Sequence, residues 1–292
     1  MDVPPIEGCP DTYLVDNEMF GMEEALASYV LDADRPALLD AGTETSADRI
    51  LDALAAVGVD RADVAYVFVS HVHLDHAAGA ERLLDACPNA TAVVHERGLP
   101  YLTDPEKLDR LLASVSAAIG FEDPYGSPDP LPRERCAAVA GGETFDLGDR
   151  VLEITDAPGH APHHYVALDP ESRMLFSADA VGAFHPEEKR VAPSTPPPSF
   201  DLEANLETID RLRELDPSRL LFTHFGPGED AMAELDAYER VLPQWIDDVA
   251  AAREAVGDDI DDLVAELEGD WEMYTLERDV AGALGYLDRR EE

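Results

Sequence analysis

Hydrophobic and polar positions along this chain switch between two periods, two for strands and about 3.6 for helices, and the switches outline its elements. Tyr29 to Leu31 and Ala37 to Leu39 flank a polar Asp-Ala-Asp-Arg-Pro turn within a strand-like stretch from Tyr13 to Gly42, which predicts a hairpin ending at Asp40-Ala41-Gly42. A helix is expected from about Ser46 to Val57, with Ile50, Leu51, Leu54 and Val57 on one face. Ala65 to Ser70 reads as a buried strand that runs straight into His71. Ala80 to Ala86 then reads as helix and Ala92 to His95 as a short strand. Leu108, Leu111, Leu112 and Val115 give a further helical pattern, after which a Pro/Gly-rich connector to about residue 135 carries no periodic signal.

The second half repeats the theme. Strands are predicted at Arg150 to Ile154, His164 to Leu168 and Met174 to Phe176, and a Pro-rich loop spans Pro193 to Pro198. Asp201 serves as N-cap of a helix ending near Leu215, and Arg219 to Phe222 forms a strand that delivers His224. Two strand-rich halves, each with helices, predict an α/β fold: an αββα sandwich of two mixed sheets flanked by helices. From Glu229 onward Met232, Leu235, Tyr238, Leu242, Trp245 and Val249, then Ile260, Leu263, Val264 and Leu267, recur at helical spacing. The expected division is therefore residues 1–228 as the main domain and 229–292 as a C-terminal helical extension packed on it. The extension is expected to cover the core, to line a substrate pocket or to form a contact between copies of the chain.

At 292 residues and 45% hydrophobic content the chain can bury a full core. Its three cysteines, Cys9, Cys87 and Cys136, are odd in number and lack C-x-x-C spacing, which argues against a disulfide framework or a cysteine-built zinc site. The first residues have neither a basic start nor an apolar core, and no segment reaches the ~18 apolar residues of a membrane helix, so a cytoplasmic protein is expected. Charge changes the picture most. Asp and Glu number 63 against 21 Lys and Arg, a formal net charge of -42, with only Lys107 and Lys189 as lysines. Self-repulsion on this scale destabilises a compact state unless salt screens it, and at ~1 M salt the Debye length is about 3 Å. The composition resembles that of halophilic archaeal proteins, and the acids are spread through amphipathic segments instead of forming one disordered block.

The chemistry concentrates in His71-Val72-His73-Leu74-Asp75-His76, between a predicted strand and a predicted helix. By chance such a cluster arises in about one chain in a thousand of this composition. His71 and His73, two apart on an extended segment, point the same way and can grip one ion, while Asp75 and His76 at the turn into the helix reach a second. Three further groups stand at strand ends: His160 in Asp156-Ala157-Pro158-Gly159-His160, Asp179 after Leu175-Phe176-Ser177-Ala178, and His224 after Leu221-Phe222-Thr223. Strand ends of stacked sheets can converge on one edge.

This order of motifs resembles the metallo-β-lactamase superfamily, and within it the glyoxalase II-like branch, over about residues 10 to 227. The resemblance implies that His71, His73 and His160 bind one metal ion, that Asp75, His76 and His224 bind a second, and that Asp179 bridges both. It also implies a hydroxide between the ions as nucleophile. Asp75 is then placed to accept a hydrogen bond from the attacking water. Five histidines and two carboxylates suit zinc, and iron and manganese take the same donors. The family's Asp-x-Gly turn is matched by Asp40-Ala41-Gly42, which serves either as a plain turn or as support for a metal-bound histidine. Ala178 and Ala161 stand where many relatives carry Gly and Thr, and the basic residues that grip a glutathione thioester are not evident. His163 and His164 read as structural more readily than as site residues, and His95 and His185 as bystanders.

The expected function is metal-dependent hydrolysis of a small ester, thioester or lactone. The alternatives are a mononuclear iron sulfur dioxygenase acting on persulfides and a tRNA-processing-type ribonuclease. The latter needs basic patches, whereas only pairs such as Lys189-Arg190 and Arg289-Arg290 occur. The partners expected are a small-molecule substrate and a second copy of the chain, with neither nucleic acid nor membrane.

Overall fold

Alternation along the strands decides which faces meet. In the computed structural model, which describes residues 3–271, 273 and 275–291, β1 (Thr12–Asp16), β2 (Ala27–Leu31), β3 (Ala37–Leu39), β4 (Tyr66–Val69), β5 (Thr91–His95) and β6 (Cys136–Val139) form one sheet in chain order. Its first two pairings are antiparallel and its last three parallel. The second sheet runs β14 (Gly226–Pro227), β13 (Arg219–Phe222), β10 (Met174–Phe176), β9 (Tyr165–Asp169), β8 (Val151–Asp156), β7 (Thr144–Asp146). It is antiparallel except where β10 pairs with β13. A separate hairpin joins β11 (Ala183–His185) and β12 (Arg190–Ala192).

Tyr29, Leu31, Leu39, Phe68 and Val93 of the first sheet face Leu152, Ile154, Tyr165, Ala167, Phe176 and Leu221 of the second, and this apolar layer holds the sandwich together. The alternate residues point outward. Val30, Leu38, Val67, Val69 and Val94 meet Ile50, Leu51 and Leu54 of α1 (Ser46–Val57), while α2 (Leu74–Ala77) leads into α3 (Ala80–Ala86), whose Leu83 and Leu84 join the same cluster. After α4 (Leu99–Thr103) and α5 (Pro105–Ile119), the Pro/Gly-rich connector folds back on the turn before α1: Glu44 N–H donates to Tyr125 O at 2.9 Å and Ser127 N–H to the Glu44 carboxylate at 2.7 Å.

On the other side, Val166, Leu168, Leu175, Leu220 and Phe222 meet Ile209 and Leu212 of α6 (Leu202–Glu214). Asp201 caps α6 by accepting from Ala204 N–H at 2.9 Å, as its sequence predicts. The C-terminal stretch shares this cluster. Leu235, Tyr238, Leu242, Trp245 and Val249 of α7 (Ala231–Val256), Leu263 and Leu267 of α8 (Ile260–Leu267), and Val280, Ala283 and Tyr286 of α9 (Leu276–Glu291) are all buried in it. The C-terminal helices thus join α6 in the helical layer on this side of the sandwich. The αββα sandwich is as expected, and β6, β7 and the β11–β12 hairpin are additions to the predicted elements.

Candidate metal centre

All seven predicted ligands lie at one edge of the sandwich. His71 to His76 leave the end of β4 and enter α2, so that Asp75 and His76 project from a single helical turn. His160 sits between β8 and β9, Asp179 just after β10, and His224 between β13 and β14. Gly159 makes the approach of His160 possible. It adopts φ 134, and a Cβ there would fall 2.3 Å from Asn205 Cα on α6. Around it, Asp201 N–H donates to Gly159 O at 2.8 Å and Thr208 Oγ1 to Pro158 O at 2.7 Å.

Four of the rings are aimed by the nitrogen that faces away from the cluster. His76 Nδ1 lies 2.7 Å from Asp40 Oδ2, His224 Nδ1 2.8 Å from Ala25 O, His71 Nδ1 3.0 Å from Ser70 Oγ, and His160 Nδ1 3.3 Å from Ser194 O. A proton held on Nδ1 by such an acceptor leaves the Nε2 lone pair directed inward. Asp40 therefore does more than turn the chain. Fully buried, it accepts from Ser70 N–H (2.8 Å), Ser70 Oγ (3.1 Å) and Thr223 Oγ1 (2.8 Å) as well as facing His76, and so joins ends of both sheets.

The inward atoms crowd together. His73 Nδ1 is 2.8 Å from His71 Nε2 and 3.1 Å from His160 Nε2. Asp179 Oδ2 is 3.4 Å from both His76 Nε2 and His160 Nε2 and 3.8 Å from His224 Nε2, and Asp75 Oδ2 is 3.6 Å from His224 Nε2. Three overlapping groups have donor atoms within 4.8 Å of one another: His71, His73 and His160; His71, His76 and Asp179; Asp75, His76 and His224. His76 Nε2, His224 Nε2 and Asp179 Oδ1 are buried without any hydrogen-bond partner among the described residues. Buried polar atoms are rarely left so, and a cation between them satisfies all three.

Electrostatics fit the same occupant. Burial, reinforced by neighbouring rings, holds His71 and His73 well below the ordinary histidine range and His160 down at about 3, against the pull of Asp179 in the last case. These rings are neutral near pH 7, the form that ligates. Burial also works against charge on His76 and His224, but Asp179 and Asp75, joined at His76 by Asp40, outweigh it and raise both. Asp75 and Asp179 are held well below the carboxylate range despite burial, chiefly by His76 and His224. Where two carboxylates can draw protons onto histidines, they also draw a divalent cation.

The other histidines stand apart from these groups. His164 Nε2 accepts from Asp179 N–H at 3.3 Å, behind the cluster, and His163 Nδ1 accepts from Val72 N–H at 3.4 Å. His95 pairs with Asp156 at 3.0 Å. Two cavities adjoin the cluster. One of about 310 Å³ reaches His224 and is lined by Phe184, His185 and Ser194. The other, about 610 Å³, opens beside His73 and Asp75 and is lined by Phe20, Val115, Ile119, Tyr125 and Ile260. Arg278 of α9 lines both, and its Nη1 is 3.8 Å from Asp75 Oδ2. The pattern reading passed over this residue. Its signal was an arginine in the first turn of a helix, where the macrodipole disfavours a cation.

Comparisons with known proteins agree with this arrangement. A metallo-beta-lactamase fold-containing protein of Sulfurisphaera tokodaii is 32% identical over 165 residues, covering 55% of this chain and 60% of that protein. An N-acyl homoserine lactonase of Azorhizobium caulinodans is 27% identical over 173 residues, covering 58% and 61%. The chain thus spans about three fifths of the length of each. Among solved structures, an archaeal metallo-beta-lactamase superfamily protein from Sulfolobus tokodaii superposes with a TM-score of 0.69 at 23% identity, covering 97% of this chain and 100% of that one. The family model of the metallo-beta-lactamase superfamily matches residues 24–224, which take in every ligand group described above. The chain belongs to the metallo-beta-lactamase superfamily.

Proposed function

We propose that the chain is a metal-dependent hydrolase of small acyl compounds, an ester, thioester or lactone, with its catalytic groups in residues 1–228 and the 229–292 helices packed over them. The observation that carries the reading is the set of inward-facing, partnerless donors: His76 Nε2, His224 Nε2 and Asp179 Oδ1, next to three neutral rings that meet within 3.1 Å. His71, His73 and His160 would hold one ion, Asp75, His76 and His224 another, with Asp179 shared. Such divalent ions, zinc by the donor set with iron or manganese also accepted, acidify water toward neutral pH and polarise an acyl carbonyl.

The chain's own part is positioning. Asp40, Ser70, Ala25 O and Ser194 O fix four rings, so these four donors are oriented before loading. Asp75 presents Oδ2 between His224 and Arg278, where it can accept a hydrogen bond from water. The apolar wall of the larger cavity excludes solvent from the acyl group. The lactonase named above supports an acyl bond as the target.

Two measurements test this together: metal content by mass spectrometry, and turnover of chromogenic esters, thioesters and lactones with and without chelator in molar KCl. About two ions per chain and chelator-sensitive acyl turnover are expected. A single iron with oxygen consumption on glutathione persulfide would replace this reading by a dioxygenase. Cleavage of structured RNA without acyl turnover would replace it by a ribonuclease.

A further inference from the structure

We propose that Arg278 anchors a carboxylate of the substrate while the adjoining 610 Å³ cavity takes its apolar chain, so that the preferred compounds are amphipathic acyl compounds with an acid group beside the bond that is cut. This rests on the hydrolase reading and names its substrate class.

Four observations meet at this residue. Among the described residues lining the two cavities, Arg278 is the single Arg or Lys, and it lines both. Among the described residues its Nε is buried without a hydrogen-bond partner, and its ion pair with Asp75 is 3.8 Å, too long for a hydrogen bond. A guanidinium left so is costly unless an oxygen anion completes it, and its planar fork matches a carboxylate with two parallel bonds. Its location is locally unfavourable, in the first turn of α9 between Glu277 and Asp279, and a broken local rule marks a position held for another reason.

The backbone that carries Arg278 is also fixed. Asp279 Oδ1 accepts from Thr195 N–H at 2.5 Å, Thr195 Oγ1 lies 2.8 Å from Asp279 O, and Trp245 Nε1–H donates to Thr195 Oγ1 at 3.0 Å. Gly282 lets α9 lie directly on the 195–196 loop, since a Cβ there would fall on Thr195 O. The guanidinium is therefore presented to the cluster from a rigid helix. Opposite it, Phe20, Leu74, Val115, Ile119 and Ile260 offer an apolar wall for a chain. In a protein of net charge -42 an anionic substrate meets long-range repulsion, so local positive charge at the site has to offset it, and Arg278 adds a directional donor to the charge of the proposed ions.

The test uses two thioethers that cannot be hydrolysed: S-decylthioglycolate, with its carboxylate next to the sulfur, and S-decyl-2-mercaptoethanol, which is neutral. Binding to the metal-loaded protein is measured by calorimetry in molar KCl, where only local contacts remain. The wild type is expected to prefer the carboxylate by at least about tenfold, Arg278→Gln to erase the preference, and Arg278→Lys to keep part of it, since lysine retains the charge without the fork. Equal binding of the two thioethers by the wild type overturns the proposal, whatever the variants do. A preference that survives in a folded Arg278→Gln protein of matched metal content overturns it as well. The two readings separate cleanly: acyl turnover without a carboxylate preference removes the anchor alone, and a preference without acyl turnover upholds the anchor and removes the hydrolase.

Discussion

Replacing Asp40 by Asn is the sharpest test of how the centre is held, because it changes one buried oxygen without changing shape. Asp40 lies at φ 58, a left-handed conformation that Asn tolerates and Ala does not, so Asn isolates the side chain from the backbone. In the wild type the carboxylate accepts from Ser70 N–H and faces His76 Nδ1 at 2.7 Å. An amide can keep the first contact only by turning its NH2 toward His76. That forces the His76 proton onto Nε2, the atom that faces Asp179 at 3.4 Å, and removes the lone pair that would ligate. If the amide flips, Ser70 N–H loses its acceptor instead. Either way one buried group goes unsatisfied, at about 1–3 kcal/mol, and loss of such a supporting carboxylate typically weakens metal affinity 10–100-fold. The assay is a chelator competition titration beside a denaturant melt of the metal-free protein. Asp40→Asn is expected to lower affinity for the ion shared by Asp75, His76 and His224 by at least about tenfold. Affinity within twofold of wild type, together with unchanged stability, would refute the argument that Asp40 sets the His76 tautomer.

Asp179→Ala should cut metal content and abolish acyl turnover, since the carboxylate stands between His76, His160 and His224; His95→Ala should keep both, although its loss of the Asp156 pair lowers stability, and element analysis of the two variants checks this. Gly159→Ala should fail to fold or lose the site, because its Cβ would collide with Asn205 Cα, and soluble yield with near-UV circular dichroism reads the outcome. The melting temperature should climb with KCl through the molar range, as screening relieves a net charge of -42, and a midpoint indifferent to salt would contradict the self-repulsion argument. Metal-free protein should lose stability as pH falls from about 6.5 to about 3. His71, His73, His160 and His164 have lowered values in the fold, so the unfolded chain binds more protons in that window, while the raised His76 and His224 oppose the trend and lose their contribution as pH rises. Urea titrations at stepped pH measure the slope, and a stability that grows on acidification would reverse the sign.

Where burial is strong and continuous, pattern reading located the elements. Ser46–Val57 is the helix its apolar face predicts, and Tyr66–Val69 the strand that leads into His71. The motif positions form a cluster because His71, Asp179 and His224 follow strands that are almost wholly buried, whereas β8 before His160 is buried only at alternate positions. Three kinds of segment were opaque. Cys136–Val139 is too short and too rich in small residues to stand out, and it becomes a strand by pairing with β5. Thr144–Asp146 is an exposed edge with little hydrophobic signal. The C-terminal helices carried a clear helical period but nothing to say which layer they complete, because the partners of Trp245 and Tyr286 are hundreds of atoms away along the chain. Arg278 was hidden for the same reason: its meaning depends on Asp75, far upstream.

The three donor groups share a property that concerns folding more than chemistry. Each takes members from both sheets: His71 and His73 with His160, His71 and His76 with Asp179, Asp75 and His76 with His224. No half of the chain holds a complete group, so neither sheet alone offers a site. An ion bound here acts as a rivet through the closed sandwich, and its binding free energy adds to the free energy that keeps the sheets face to face. Metal capture then belongs after docking of the halves, and stripping the metal should loosen the seam between the sheets before it melts either one.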